Sequence, residues 1–251
     1  MLLGTELAGL VELAMAMGIV ALAALVFGTI GFGMGVVGTP PLLLFIDAKT
    51  AIVVINTQTV LVSLLVLLST WRHLDLRSSR GLIVGGLVGT PLGALLLNVS
   101  EPGALRIVIG GVIVLLGLIN LREIEFPFAT FPGSGFAFGF VTCFGVTAIS
   151  IGGVVAGIYA IAQKWPVQRI RASLAALFVI TGIAQVTLYS FSGLYTGGTA
   201  VMVGLTVPGV VVGFGLAGLL VGRLNQRMFR YLVVVVVISG GALLIVRELL
   251  G

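Results

Sequence analysis

Hydroxyl and amide side chains stand inside long apolar stretches of this chain that contain no Asp or Glu. Four of them are consecutive, from Asn56 to Thr59, while Thr39, Ser150 and Ser173 are more isolated. Such groups can hold a tetrahedral oxyanion by hydrogen bonds without a permanent charge. An acid catalyst or a carboxylate proton relay, by contrast, has no residue to use in these stretches. The pattern therefore favours binding of a small anion, and we do not expect an enzyme.

Arg171 stands at the start of a long apolar stretch, directly before Ala172 and Ser173. Its planar guanidinium presents paired N–H donors that match two oxygens of a sulfonate or a phosphate. The position also suits an arginine that anchors the cytoplasmic end of a membrane helix, as Arg169 would two residues earlier. The sequence leaves both roles open for Arg171.

Two apolar stretches are too long to be single membrane helices. The charge-free stretch 13–46 would measure roughly 51 Å as one helix, against a hydrocarbon core of ~30 Å. Closely spaced glycines, followed by Pro40 and Pro41, predict a break in it, because both residue types disfavour a helix interior. Glycines also predict a break in the stretch 126–163. Each break leaves a short arm, 36–46 or 154–163, and the sequence does not decide whether the arms span or re-enter.

Broken backbone at membrane depth predicts a central binding site. Its N–H and C=O groups must be satisfied by protein or by a water-filled cavity. The N-terminus of a half-helix also offers free N–H donors and the positive end of the helix dipole, which suit an anion. The expected substrate-binding residues are Gly31, Gly33, Gly35, Thr39, Asn56, Thr57, Gln58, Thr59, Ser150, Gly152, Gly153, Arg171 and Ser173.

Close helix packing is the alternative role for a glycine. Gly85, Gly89 and Gly93 are spaced four apart, as are Gly209 and Gly213 in the second half. Small residues at this spacing line one helix face and let a neighbouring helix approach. For these two series we predict packing, whereas for the glycine breaks both roles stay open.

The composition places the chain in a membrane. Hydrophobic residues make up 59% of it and charged residues 8%, whereas soluble proteins carry about 25% charged residues. The N-terminus lacks the basic segment of a signal peptide, so the first apolar stretch is expected to be retained. Cys143 and His73 are the only residues of their types. We expect a buried structural Cys143, an interfacial His73, and no metal site or cofactor.

The two halves of the chain share a pattern. Gly35-Val36-Val37 matches Gly153-Val154-Val155, and the two glycine series described above also match each other. The chain is therefore predicted to be an all-α polytopic membrane protein of two repeats with about five helical segments each. Since five is odd, the second repeat must insert with inverted topology. The boundaries are a first transmembrane repeat at 1–121, a cytoplasmic linker at 122–132 and a second repeat at 133–251.

Loop charge predicts the orientation. With the N-terminus outside, only Lys49, Arg106 and Arg247 of the 13 basic residues fall outside. Basic residues concentrate in cytoplasmic loops, so we predict a bacterial inner-membrane protein with both termini outside. The basic residues on the predicted cytoplasmic side are Arg72, Arg77, Arg80, Arg122, Lys164, Arg169, Arg171, Arg223, Arg227 and Arg230.

The glycine breaks and the repeat spacing resemble the TauE/SafE family of sulfite exporters and related sulfonate permeases. Gly31 to Pro40 is similar to the family's glycine-rich stretch, and Gly145 to Gly153 is similar to it in the second half, although Ile158 stands where a second proline would. Ala51 to Thr59 resembles the family's helix rich in Thr and Ser. Arg171-Ala172-Ser173 looks like its second-half equivalent.

This resemblance implies a secondary transporter that exports sulfite, sulfoacetate, thiosulfate or a similar sulfur anion by alternating access between inverted repeats. The residues themselves indicate only a small-anion transporter. A transporter of another small organic anion and a non-transporting membrane scaffold or assembly factor stay open as alternatives. The expected partners are the anionic substrate and the lipid bilayer, without nucleic acid, and dimerisation stays open.

Overall fold

A computed structural model describes the backbone of residues 2–121, 131 and 133–220, and the side chains of 12–112, 131 and 133–220. The described residues form helices joined by short loops, with a single 3₁₀ turn at Trp71–His73. The helices are α1 (Leu2–Ile30), α2 (Met34–Leu42), α3 (Ala48–Thr70), α4 (Leu76–Val99), α5 (Pro102–Leu121), α6 (Ser134–Ile149), α7 (Gly153–Ala162), α8 (Val167–Phe191) and α9 (Gly197–Leu220).

The predicted break in the first half is confirmed. Helix α1 ends before Gly31 and Gly33, which have φ angles of 89° and 98°. Glycine adopts this left-handed conformation without the steric penalty of a side chain. Helix α2 then runs for 9 residues and contains Pro40 and Pro41. At ~1.5 Å per residue it is too short to cross the ~30 Å core.

The second half repeats this arrangement. Helix α6 ends at Ser150, which is itself left-handed with φ 61°, and α7 follows with 10 residues. Ser150 donates its N–H to the carbonyl of Val146 at 2.8 Å, which closes the helix end. Each half thus contains one of the two predicted short segments, α2 in the first and α7 in the second.

Three pairs of helices make the most extensive contacts. Helix α4 packs along α6, α1 packs along α9, and α3 lies against α8. Glycines make the first two contacts close: a Cβ on Gly85 would lie 2.0 Å from the Phe136 carbonyl oxygen, and one on Gly213 would lie 2.1 Å from that of Ala21. Since no carbon can approach an oxygen so closely, these glycines bring the helix backbones into contact. The packing role predicted for the two glycine series is confirmed.

Two polar contacts fix the opposite ends of the bundle. Lys49 donates to the Asn98 carbonyl at 2.7 Å, which joins the start of α3 to the end of α4. Arg169 pairs with Asp75 at 2.8 Å, which joins the loop before α4 to the start of α8. The two most basic described loops therefore share one end of the bundle, called here the arginine end.

The chain is a multi-pass membrane protein of the all-α class. Five helices within the described ranges are long and apolar enough to span a membrane. The first half has the five predicted segments, α1 to α5. The linker 122–132 and the fifth segment of the second half lie almost wholly outside the described residues, and inverted topology stays a prediction.

Candidate functional site

The two helix breaks meet in the interior. A Cβ on Gly35, in the first turn of α2, would lie only 1.6 Å from the Ser150 carbonyl oxygen. A Cβ on Gly153, at the start of α7, would lie 3.4 Å from the Phe32 side chain and 3.6 Å from the backbone nitrogen of Gly33. The N-termini of both short helices therefore face the same place, as the glycine pattern predicted.

A small central cavity lies at this crossing. Its volume is about 10 Å³, which is about the space of one water molecule. The cavity in this conformation is thus much smaller than a sulfur oxyanion. Its lining residues are Phe27, Gly33, Met34, Gly35, Val36, Asn56, Thr59, Val146, Ser150, Gly153 and Phe178.

Asn56 joins three helices beside this cavity. Its amide nitrogen donates to the Val146 carbonyl at 2.8 Å and to the Tyr189 hydroxyl at 3.0 Å. Its amide oxygen accepts from the Ser150 hydroxyl at 3.0 Å. Both N–H groups of the amide are therefore used within the protein, and Asn56 fastens the broken end of α6 to α3 and α8.

Tyr189 completes the network from α8. It is fully buried and donates its hydroxyl hydrogen to the Thr147 carbonyl, while Gln185 donates to its oxygen at 2.8 Å. The last carbonyls of a helix lack intrahelical donors and need partners elsewhere. Tyr189 and Asn56 supply such partners to the end of α6, which allows that end to lie inside the membrane.

The starts of the short helices supply backbone donors to the cavity. The hydrogen bonding of α2 begins with Val37 N to Gly33 O at 3.1 Å. The N–H groups of Met34, Gly35 and Val36 therefore lack an intrahelical acceptor, and all three residues line the cavity. Gly153 contributes the corresponding N–H from the first turn of α7. Together these groups form a site that favours negative charge.

A second and larger cavity lies at the arginine end. Its volume is about 290 Å³, and Ser69 and His73 on its wall are exposed. We call it the vestibule. Its lining residues are Ser69, Thr70, His73, Gln168, Arg171, Phe214 and Gly218.

Arg171 stands on the vestibule wall with only 6% of its surface exposed. It donates from Nη2 to the Gly28 carbonyl at 2.7 Å and from Nη1 to the Gln168 amide oxygen at 3.0 Å. Gly28 is in the last turn of α1, where a cation is favoured by the helix dipole. Arg171 thus holds the end of α1 by a hydrogen bond, and it also belongs to the lining of the vestibule.

Four of the predicted site residues lie away from the central cavity. Thr57 contacts the Tyr195 hydroxyl, and Gln58 donates to the Val203 carbonyl on α9 at 2.7 Å. Thr39 and Ser173 are fully buried, and neither hydroxyl has a hydrogen-bond partner. Of the four consecutive polar residues only Asn56 and Thr59 line the cavity.

The two remaining glycines of the predicted set lie at its edge. Gly31 packs against Arg171, whose Cα would lie 3.0 Å from a Cβ at this position. Gly152 packs inside the turn between α6 and α7, where a Cβ would lie 2.0 Å from the Thr142 carbonyl oxygen. Both glycines permit the chain reversals, and neither lines the cavity.

Arg169 and the two singular residues take structural positions. Arg169 lies over the Trp165 ring at 4.8 Å and pairs with Asp75, the N-cap of α4. The Ser78 N–H and hydroxyl, together with Arg169, hold the pKa of the Asp75 carboxyl below its ordinary value of 3.8. Cys143 is buried as predicted, and His73 lies in the exposed 3₁₀ turn.

Several residues of the site were not predicted. Phe27 and Phe178 line the cavity with ring centroids 5.7 Å apart, but nothing distinguishes them from other apolar residues in the sequence. Tyr189 and Gln185 carry a recognisable signal, since a tyrosine and a glutamine inside an apolar helix both need buried partners. Gln168 gave no signal, because it stands among other polar residues at the start of α8.

Comparison with known proteins identifies the family. A family model described as Sulfite exporter TauE/SafE matches residues 16–244, nearly the whole chain. Neither the curated proteins nor the solved structures provide a match. The match includes both helix breaks, the central cavity and the vestibule, and it confirms the resemblance given by the glycine-broken segments. The chain belongs to the TauE/SafE family of sulfite exporters.

Proposed function

We propose that this protein is a secondary transporter that exports a small sulfur oxyanion through the crossing of its two helix breaks. The observation that carries the proposal is the meeting of two half-helix N-termini, α2 and α7, around one small cavity. The backbone N–H groups at the two helix starts offer an anion hydrogen bonds at membrane depth. We propose no catalytic step.

The direction and driving force follow from charge. We place the arginine end in the cytoplasm, with both termini outside, because basic loops are retained on that side. An inside-negative potential then expels an anion with about 2.3 kcal/mol per charge per 100 mV. No Asp or Glu lies within the described spans α3, α4, α8 and α9, so the potential alone would drive export.

The large vestibule and the small central cavity correspond to one state of the proposed transport cycle. With the arginine end inside, this conformation admits substrate from the cytoplasm as far as the vestibule, and the crossing is too small to hold it. We propose that the two predicted inverted repeats, 1–121 and 133–251, rock against each other to open the crossing to either side. The paired packing of α1 with α9 and of α4 with α6 is compatible with such a symmetry.

Flux measurements test this proposal. Proteoliposomes preloaded with sulfite, thiosulfate or sulfoacetate are placed under an imposed potassium diffusion potential, and efflux is followed. Asn56→Ala removes a cavity residue, and Asn98→Ala makes the same chemical change at an exposed helix end. We expect potential-dependent efflux that falls in Asn56→Ala and persists in Asn98→Ala. A folded wild-type protein that moves none of these anions would overturn the substrate class.

A further inference from the structure

The vestibule wall carries the buried guanidinium of Arg171, for which the described residues supply no counter-ion. No carboxylate in the described part of the chain pairs with Arg171, and only 6% of its surface is exposed. A buried charge is costly unless it is paired and fully hydrogen-bonded. Capping the Gly28 carbonyl compensates only part of this cost, because a carbonyl carries no net charge.

The guanidinium also retains unused donors. It has five N–H groups, and the protein accepts one from Nη1 and one from Nη2. Its Nε is too buried to reach a ligand and has no partner among the described residues. One N–H group on each of Nη1 and Nη2 therefore stays without an acceptor in the described part of the chain, and a guanidinium binds oxyanions through such adjacent donors.

Gln168 is held in an orientation that adds donors. Because Arg171 can only donate, the atom of Gln168 that faces it must be the amide oxygen, at 3.0 Å. This leaves the Gln168 NH₂ group without an acceptor in the described residues. His73 adds an imidazole to the same wall. Donors thus outnumber acceptors among the longer side chains of the vestibule.

We propose that the vestibule is a second anion site, distinct from the central cavity, where a sulfur oxyanion binds Arg171, Gln168 and His73 before it enters the crossing. The volume of about 290 Å³ holds an oxyanion with several waters, at ~30 Å³ per water. The central cavity cannot accept a hydrated ion. This inference rests on the proposed transport function for its ligand class.

A single-cysteine reporter can measure occupancy of the vestibule. Cys143 is the chain's only cysteine and is buried, so Ser69→Cys introduces an exposed thiol on the vestibule wall against a low background. Sulfoacetate is the probe, because sulfite and thiosulfate themselves consume thiol reagents. Ser192→Cys, at an exposed loop position at the other end of α8, is the matched control.

We expect sulfoacetate to slow maleimide labelling of Ser69→Cys in a saturable manner and to leave Ser192→Cys unaffected. Gln168→Ala and His73→Ala, each combined with Ser69→Cys, should raise the half-protecting concentration roughly two- to tenfold, as expected for one hydrogen bond. Arg171→Lys keeps the charge but loses the paired N–H donors of the guanidinium. It should raise the half-protecting concentration by at least about tenfold. Arg77→Gln removes a nearby exposed charge and should have less effect than any of these.

Efflux of the same anion from the same preparations separates the two proposals. Efflux without protection of Ser69→Cys, or protection that Arg171→Lys, Gln168→Ala and His73→Ala leave unchanged, overturns the vestibule site and leaves the transport function standing. Protection that depends on these residues, without efflux of any sulfur anion, supports the site and overturns the transport function. Because Arg171→Lys could disturb the end of α1, the readings from Gln168→Ala and His73→Ala decide the case if that variant does not fold.

Discussion

Gly35→Ala is the sharpest test of the crossing between the two helix breaks. The added Cβ would lie 1.6 Å from the Ser150 carbonyl oxygen, 2.6 Å from the Ser150 carbonyl carbon and 2.9 Å from its Cβ. The contacts with the carbonyl oxygen and the carbonyl carbon of Ser150 involve backbone atoms, so no rotation of a side chain relieves them. A carbon and a carbonyl oxygen in contact are ~3.3–3.6 Å apart. The two short helices would therefore have to separate by about 1.5 Å or more.

Two energies compete in this variant. Alanine favours a helix over glycine by roughly 0.5–1 kcal/mol. Overpacking typically costs about 1–3 kcal/mol and sometimes more. Because a Cβ at Gly35 overlaps backbone atoms of Ser150, we expect the cost of overpacking to exceed the gain in helix propensity. The melting temperature should therefore fall. A shift of ~1 Å at a reacting or binding centre can cost a factor of about 10², so transport should suffer more than stability.

The same change at two other glycines gives a comparison for the stability of Gly35→Ala. Gly111→Ala makes the same change in α5 with no atom within 4 Å, and Gly38→Ala would meet the Ile55 Cδ1 atom at 2.5 Å, which is the movable end of a side chain. We expect stability in the order Gly111→Ala, Gly38→Ala, Gly35→Ala, from highest to lowest. The assays are thermal unfolding of the purified proteins in detergent and anion efflux from proteoliposomes. Wild-type stability and efflux in Gly35→Ala would refute the described crossing.

Three further substitutions test the network and the helix contacts. Asn56→Asp replaces the two N–H donors of the amide by an acceptor and buries a charge, which costs several kcal/mol. Asn56→Ala costs about 1–3 kcal/mol. The melting temperature of Asn56→Asp should therefore fall well below that of Asn56→Ala. Asp75→Ala loses a helix cap and an ion pair with Arg169, whereas Asp75→Asn keeps the cap, so Asp75→Ala should melt lower. Because the pKa of Asp75 is lowered in the folded protein, its charge stabilises the protein at neutral pH, and the difference between wild type and Asp75→Asn should shrink as the pH falls below about 4. Gly89→Ala, whose Cβ would lie 2.4 Å from a carbonyl oxygen of α6, should unfold at a lower temperature than Gly111→Ala.

The sequence could predict the breaks because length and residue type suffice for them. A charge-free stretch too long for the bilayer must be interrupted, and glycine and proline mark where. The same argument placed the short helices within a few residues of α2 and α7. The packing role of Gly85 and Gly89 was predictable too, since small residues at a spacing of four share one helix face.

The sequence could not predict which polar residue faces which neighbour. Asn56 to Thr59 cover about a full helix turn, so their directions differ by roughly 100° per residue. The structure directs Asn56 to the end of α6, Thr57 to Tyr195 and Gln58 to α9. Only the relative placement of α3, α6, α8 and α9 decides these partners, and that placement depends on contacts distant in sequence.

Arg171 shows the same limit at a single residue. Its position before an apolar helix fits an anchor and a ligand equally well, and the residue types around it do not separate the two. What separates them is the Gly28 carbonyl, which lies in another helix, together with the adjoining cavity and the lack of a carboxylate partner among the described residues. A sequence pattern carries no information on the absence of a partner.

Opening the central cavity would break hydrogen bonds whose typical net free energy is known. If α6 moves with its short helix α7 relative to α3, the two hydrogen bonds that join Asn56 to Val146 and Ser150 are lost, at a net cost of about 0.5–1.5 kcal/mol each. A membrane potential of 100 mV supplies about 2.3 kcal/mol for each negative charge that crosses. The two quantities are comparable, so in the proposed transport cycle the loss of these hydrogen bonds lies within the free energy that one crossing charge releases. Removing the Asn56 amide should therefore lower the barrier to leakage of water-sized solutes while it weakens selective anion efflux.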